Sequence, residues 1–277
     1  MIHVDIILIT YNQEQYVRQA VDSILMQQVD EGVKLHLLVA DDVSTDQTLT
    51  IIRQSLADCR IEVEYVPKER NLGFVRNYQQ VFGLCHGDFV AILEGDDYWL
   101  QGHIQQHVDF LIAHPDCSMS MNNHARLYIE DERLESPNQN CPDVRYVTLA
   151  EQLGCGNQLG NLTACMFRGD YVRALPDDFF NLNMADWELG VFMAQYGLLA
   201  ILKESTSVYR ISEKGQWAGL DSKEKRRQLL RDLHAMDVFF GKKYHSFCKK
   251  YQFKVCHPRL QTIKHKCGVA FRRILRK

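Results

Sequence analysis

No run of about 18 consecutive apolar residues occurs anywhere in this 277-residue chain, so no transmembrane helix is expected. The N-terminus has no basic leader and no long apolar core. It enters a strand-like segment, Val4 to Ile9, broken by Asp5, so no signal peptide is expected either. Among the nine cysteines there is no CxxC pair and no regular Cys/His spacing. With no secretory signal either, they read as reduced thiols in a cytosolic setting. Asn161-Leu162-Thr163 matches a glycosylation sequon, which in such a setting is read as chance. No internal repeat of fixed period appears. Acidic residues are missing from Lys242 to Lys277, which carries 12 Lys and Arg. All 35 Asp and Glu precede it, so an acidic body ends in a basic tail.

What is present is strand and helix in alternation. A first strand runs into the turn Thr10-Tyr11-Asn12. There Asn12, with Gln15 three residues on, has the spacing of a capping box. Val17, Ala20, Val21, Ile24 and Leu25 follow at helical spacing. Leu35 to Ala40 reads as a second strand ending in Asp41-Asp42; Ser44 and Gln47 repeat the capping spacing and open a helix through Leu56. A third strand spans Ile61 to Val66. After Asn71-Leu72-Gly73 comes a helix expected to bury Phe74, Tyr78, Val81 and Phe82. Phe89 to Leu93 is a short apolar strand that stops at Glu94-Gly95-Asp96-Asp97. This alternation predicts an α/β fold with a mainly parallel sheet covered on both faces. Further on, a helix follows Leu100, residues 117–129 look like strands, and Leu162 to Phe167 looks like a core strand. Asp186 opens a helix, and strands return at Leu199 to Leu202 and Thr206 to Tyr209. The polar stretch Glu130 to Tyr146 reads as a loop or lid.

Parallel strands place their C-terminal ends along one edge, where open α/β folds bind ligands. Tyr11-Asn12, Asp41-Asp42 and Glu94-Gly95-Asp96-Asp97 each end such a strand, so they should meet in one crevice. Taken alone, the acidic cluster could be a solvated turn. Three carboxylates within four residues could also hold a hard divalent cation, which takes oxygen ligands and shares them with phosphates.

With these motifs in order, the sequence resembles glycosyltransferase family 2, inverting sugar transferases of the Rossmann-like GT-A fold. The matching residues are Ile9 to Glu14, Asp41 to Thr48, Asn71-Leu72-Gly73 with Arg76-Asn77, and Glu94-Gly95-Asp96-Asp97. The likeness continues less sharply through Asp186-Trp187-Glu188-Leu189 and Tyr209-Arg210 and does not reach the basic tail. It implies a GT-A domain over 1–220, with a nucleotide-binding half (1–115) and an acceptor-binding half (116–220), and a helical basic extension over 221–277. It implies that Thr10, Tyr11, Asn12 and Glu14 lie against the nucleotide base and that Asp42 accepts a hydrogen bond from a uracil-type imide. Asn71, Arg76 and Asn77 would help hold the nucleotide and diphosphate. Glu94, Asp96 and Asp97 match the acidic metal motif for Mn²⁺ or Mg²⁺, with Glu94 in place of the usual Asp and reaching toward the ribose. Asp96 or Asp97 would be the direct ligand.

The same resemblance expects a base at the start of a later helix, usually a Glu-Asp pair. Here Ala185 replaces the Glu, which leaves Asp186 as the candidate; helix N-capping is the alternative for Asp186. Trp187, Arg210 and Lys214 are candidate diphosphate or acceptor contacts, and the segment of the last two could equally be a surface loop. A His common two places after the Arg is Ser212 here. The implied donor is a nucleotide-diphosphate sugar, foremost a UDP-sugar. The implied acceptor is a saccharide hydroxyl, lipid-linked in many bacterial members of the family, in bacterial surface-polysaccharide assembly.

In the tail, Lys242-Lys243, Lys249-Lys250 and Arg272-Arg273 alternate with Tyr244, Phe247, Tyr251, Phe253 and Phe271. That suits an anionic membrane surface and a peripheral place on the inner face of the cytoplasmic membrane. A helix packed on the body is the alternative, and nucleic acid is not expected as a partner. Two rival readings remain. A sugar nucleotidyltransferase would want a Gly-rich basic loop after the first strand, and Thr10 to Glu14 has neither glycine nor a basic residue. A non-catalytic saccharide- or nucleotide-binding module is favoured only by Ala185.

Overall fold

A computed structural model of the chain describes residues 1–137, 139–183, 186–212 and 219–257. Its first strand, β1 (Ile2–Thr10), is apolar without alternation because both of its faces are covered: Val4 and Ile6 to Leu8 are all fully buried. Asp5 interrupts that run but not the strand. Its carboxylate accepts the backbone N–H groups of His86 at 2.6 Å and Gly87 at 2.7 Å, and lies 2.9 Å from His36 Nδ1.

Helix α1 (Val17–Leu25) buries Val17, Ala20, Val21 and Ile24 against β1, as their spacing requires. Next come β2 (Val33–Asp41), α2 (Thr48–Ser55), β3 (Glu62–Tyr65), α3 (Phe74–Phe82) and β4 (Phe89–Glu94). In α3, Tyr78, Val81 and Phe82 are buried as expected, but Phe74 in its first turn is 41% exposed. The two-residue β5 (Tyr98–Trp99) leads to α4 (His103–Ala113), β6 (Cys117–Asn122) and β7 (Ala125–Tyr128). The polar stretch expected as a loop contains β8 (Arg133–Glu135) and most of β9 (Val144–Val147), short edge strands too polar to stand out. Asn138 of that stretch lies outside the described residues. Then follow α5 (Leu149–Cys155), β10 (Cys165–Arg168), α6 (Gly169–Arg173), a 3₁₀ turn (Asp177–Asn181) and α7 (Asp186–Met193). Strands β11 (Leu198–Leu202) and β12 (Ser207–Ile211) and helices α8 (Ser222–Phe239) and α9 (His245–Cys256) complete the described chain.

The main sheet has the order β3-β2-β1-β4-β10-β6-β11-β9. Strands β3, β2, β1 and β4 are parallel, β10 runs antiparallel between β4 and β6, β11 is parallel to β6, and β9 is an antiparallel edge. A second sheet, β5-β12-β7-β8, stands beside it. Helices cover both faces of the main sheet, with one core on each face. A third, smaller core joins α5 and α7 to the C-terminal helices through Leu153, Trp187, Val191, Leu233, Met236 and Cys248.

Helix α8 opens with a capping box: Asp221 accepts the N–H groups of Lys223 and Glu224, both at 2.7 Å, and Glu224 reaches back to the Asp221 N–H. Helix α9 packs on the body, with Lys254 Nζ 2.6 Å from the Gly154 carbonyl, and leaves Phe253 56% exposed. The rest of the basic tail, with Arg272-Arg273, lies outside the described residues. Among the described residues, no helix is long and apolar enough to cross a membrane, and all eight cysteines are free.

Candidate active site

Parallel pairing sets the strand ends side by side: Thr10 is in register with Asp41, and Ile9 with Glu94. The loops after β1 and β2 are laced to each other. Asn12 Oδ1 accepts the Thr45 N–H at 2.8 Å, and the Asn12 N–H donates to Ser44 Oγ at 2.9 Å. Glu14 Oε2 accepts the Gln47 N–H at 2.9 Å, and the Glu14 N–H donates to Asp46 Oδ2 at 3.1 Å. This lacing replaces both expected capping boxes. Helix α1 begins only at Val17 and α2 at Thr48, neither with a side-chain cap. Asn12 sits at φ 52°, a conformation Asn tolerates, and Val43 sits at φ 60°, where a β-branched residue is strained. Of the residues expected at the nucleotide, Thr10 is buried and donates to Asp41 Oδ1 at 2.9 Å, whereas Tyr11 is 48% exposed at the rim.

Asp42 is buried and ties down the next loop. Its two oxygens accept the Leu72 and Gly73 N–H groups, both at 2.8 Å, and Asn71 Nδ2 donates to its carbonyl at 2.9 Å. Each carboxylate oxygen keeps one further lone pair. Asn77 is buried, not facing the rim: its amide donates to the Ala40 carbonyl at 2.9 Å. Arg76 is exposed and turns toward Asn181 at 3.1 Å. A residue that no sequence pattern marked, Lys68, stands beside this pair of aspartates. Its ammonium is buried with no hydrogen-bond partner among the described residues. Burial lowers its pKa, opposed by the charges of Asp42 and Asp41.

At the end of β4 the three carboxylates have different environments. Asp97 is fully buried. It accepts the Arg210 N–H at 2.8 Å on Oδ1 and the Asn161 amide at 3.0 Å on Oδ2. Burial and the neighbouring Asp96 push it up to about 7 against those bonds. Asp96 and Glu94 are part-exposed. Glu94 accepts no hydrogen bond from a described residue, and Asp96 only that of its own backbone N–H. Burial raises both, and for Glu94 the charges of Asp97, Asp96 and Asp186 add to it. Gly95 between them is required by packing. A Cβ there would lie 2.5 Å from both Thr10 Cγ2 and Gln13 Oε1. The sequon residues Asn161 and Thr163 are buried behind this turn.

Asp186 begins α7 and is part-exposed. Asn157 Nδ2 donates to its Oδ2 at 2.6 Å, and the Trp187 and Gly160 N–H groups also turn to it. Burial raises its pKa despite these donors. Burial raises Tyr209 and Tyr78, whose buried hydroxyl has no partner among the described residues, and the charges of Glu94, Asp96, Asp97 and Asp186 add to both, so all four carboxylates share one field.

Two expected ligand contacts take other places. Trp187 is 3% exposed, bonds the Gln152 carbonyl at 2.8 Å and packs edge-on to Tyr251, so it anchors the C-terminal helices. Arg210 is buried against the acidic turn. Its guanidinium donates to the Asp96 carbonyl and to Gln19, between the rings of Tyr16 and Tyr98. Lys214 lies outside the described residues, as does Ala185.

Among the described residues, no three His, Cys, Asp or Glu side chains gather into a metal-binding group. Glu94 and Asp96, whose carboxylates bond no other described residue, are hard oxygen donors. One or two carboxylates completed by substrate phosphates and water are what Mg²⁺ commonly uses. The donor set at Glu94 and Asp96 therefore fits such a cation.

Residues 5–135 match the family model described as glycosyl transferase family 2. Over 213 residues the chain is 29% identical to an uncharacterized protein of Mycobacterium tuberculosis, covering 76% of this chain and 60% of that one. The chain thus spans about 60% of the length of these mycobacterial relatives. Over 123 residues it is 28% identical to a Bacillus subtilis protein that carries the name teichuronic acid biosynthesis glycosyltransferase TuaG, covering 44% of this chain and 46% of that one. The fold matches S. aureus TarS 1–349, solved with UDP-GlcNAc, at a TM-score of 0.60 and 17% identity over 85% of this chain and 73% of that one. It also matches the mannosyltransferase PcManGT of Pyrobaculum calidifontis, solved with GDP-Man and Mn²⁺, at 0.64 and 14% identity over 90% and 69%. The architecture is GT-A-like.

Proposed function

We propose that this chain, which belongs to glycosyl transferase family 2, moves a sugar from a nucleotide-diphosphate donor to a saccharide hydroxyl with inversion. The observation that carries this reading is the shared field of Glu94 and Asp96 at the end of β4 and Asp186 at the start of α7, beside the laced loops after β1 and β2. Tyr11 at the rim and Lys68 beside Asp41 and Asp42 would meet the nucleoside. The spare lone pairs of Asp42 would take an imide N–H, which favours UDP. Asn71 shapes the adjoining loop; Thr10, Asn12, Glu14 and Asn77 act from behind, by holding it and its neighbours. Asp96, with Glu94, would hold Mn²⁺ or Mg²⁺. Bound there, the cation supplies Lewis-acid stabilisation of charge on the departing diphosphate. Asp97 and Arg210 position that turn from within.

Asp186 is the base in this reading. The acceptor hydroxyl adds to the sugar C1 on the face opposite the diphosphate, its proton passes to the Asp186 carboxylate, and the C1–O bond to the diphosphate breaks. A carboxylate with a raised pKa is the better suited to take a proton near neutral pH. The name of the Bacillus subtilis relative supports surface-polysaccharide assembly as the setting, and in this reading the acceptor is a lipid-linked saccharide. Residues 1–220 would form the transferase and 221–277 an extension. The basic residues and the exposed Phe253 of that extension suit a peripheral place on the cytoplasmic face of an anionic membrane.

The test is thermal stabilisation by a panel of nucleoside diphosphates, with and without Mn²⁺, since a ligand of the folded state alone raises the melting point. Mn²⁺-dependent stabilisation by UDP above the others is expected. A folded protein indifferent to every diphosphate would refute the donor site.

A further inference from the structure

A hollow of about 260 Å³ is walled in part by the loop that holds Asp186. Arg126 enters it from β7, Arg145 from β9 and Lys203 from just beyond β11. Gln158 and Leu159 line it too, between Asn157, which bonds Asp186, and Gly160, which also does. His124 lines it as well and meets the Tyr209 ring edge-on, at 6.0 Å between centroids, and the floor is largely apolar, with Met121, Ile201 and Leu202. The loop from Asn157 to Gly160 is therefore shared between the three cations and Asp186.

Those cations are weakly compensated. The Arg126 side chain makes no hydrogen bond to a described residue. Glu135, its cross-strand neighbour, gives its carboxylate to Arg133 and to the Tyr128 hydroxyl. Arg145 uses one N–H on Gln158 Oε1 at 2.8 Å, and its guanidinium has other donors left. Lys203 meets Asp143 at 3.4 Å, but Asp143 is almost wholly in solvent, where such pairs hold little energy. His124 Nδ1 is buried without a partner among the described residues. Burial and the charge of Arg126 push its ring down to about 4, so it is neutral at physiological pH.

We infer that this hollow binds an anionic group, a carboxylate or a phosphate, carried by the acceptor saccharide. The inference rests on the reading of Asp186 as the base. Two guanidinium forks and an ammonium match the oxygens of either group. A neutral sugar would leave them uncompensated. Anchoring the anion here would let a neighbouring residue of the same acceptor pass over the Asn157–Gly160 loop to Asp186, and positioning of that kind is a large part of transfer catalysis. The acceptor class is then an acidic saccharide.

The experiment follows the backbone amides of Arg126, Arg145 and Lys203 by NMR in the full ¹⁵N-labelled chain. Potassium glucuronate, inorganic phosphate and glucose are titrated in turn. Saturating shifts are expected with glucuronate, phosphate or both, and none with glucose. Arg126→Gln/Arg145→Gln, both exposed, should weaken the anion roughly tenfold or more by removing charge-assisted bonds. The same double variant should keep its stabilisation by UDP and Mn²⁺. A response to glucuronate alone points to a uronic acid, and one to phosphate alone to a phosphorylated sugar. No saturation by either anion, an equal response to glucose, or unchanged affinity in the double variant would overturn the inference. UDP stabilisation is read separately, so its absence from the wild-type protein would strike the transferase reading and not the anion site.

Discussion

The backbone N–H of Arg210 donates to Asp97 Oδ1 at 2.8 Å, joining residues 113 apart in sequence. Asp97 thereby fastens β12 to the turn after β4, while Asp96 beside it is left to face the crevice. The two aspartates should respond oppositely to truncation. Asp97→Ala leaves the Arg210 N–H and the Asn161 amide buried without an acceptor and should cost about 2–4 kcal/mol. Asp96→Ala removes no bond to another residue and should change stability by less than about 0.5 kcal/mol. It should nevertheless abolish Mn²⁺-dependent stabilisation by UDP. Urea unfolding separates the two, and equal destabilisation would refute the division of labour.

Gly95→Ala should damage the site by packing rather than by charge. The added methyl would fall 2.5 Å from Thr10 Cγ2 and from Gln13 Oε1. Gln13 can swing away, but Thr10 is buried and bonded to Asp41, so the turn itself must move. Overpacking of this kind costs about 1–3 kcal/mol. The expected outcome is a lower melting point together with weaker UDP stabilisation. Full retention of both would show that the turn tolerates displacement.

The strand ends were legible because apolar runs stop abruptly at carboxylates, and parallel pairing carries such ends to one edge. What the individual polar residues do there was not legible. Asp97, Asn77 and Thr10 sit in motifs that look like ligand contacts, yet each is buried on backbone or on a neighbouring side chain. Burial is a property of the folded neighbourhood, and a side chain facing solvent is written with the same letter as one facing a backbone amide. The capping spacings at Asn12 and Ser44 misled for a related reason. A local bond was available, but the two loops bond each other across 33 residues instead. Lys68 carried no signal at all, a single lysine after Pro67 whose importance appears only beside Asp41 and Asp42.

Asp186→Asn tests the base while leaving the donor side intact. The amide keeps an oxygen for the Asn157 or Trp187 donors, so the fold should survive with a loss of about 1 kcal/mol or less. Without a proton acceptor, turnover should fall about 10²–10⁴-fold. UDP affinity should stay within about twofold, because the proposed donor contacts lie elsewhere. Steady-state turnover and UDP titration measure the two. Unchanged turnover would remove Asp186 as base and leave it as the first residue of α7.

A pair of buried histidines gives a pH prediction independent of the site. His103 stacks on Trp99, and His107 meets His103 edge-on, with His107 Nδ1 2.7 Å from Ser120 Oγ. Burial holds both rings below their ordinary pKa, His107 at about 3. In the unfolded chain each takes a proton near pH 6.5, so between about 6.5 and 3 the unfolded state binds more protons than the folded one. Stability is therefore fully present above about 6.5 and is lost progressively as pH falls. For His107 alone the loss by pH 5 is about 2 kcal/mol. His107→Gln removes that titration. It should start less stable at pH 7.5, because the ring's packing is lost, yet lose about 2 kcal/mol less than wild type between pH 7.5 and 5. Urea unfolding at the two pH values gives the comparison, and parallel losses in the two proteins would mean that His107 is protonated in the folded state.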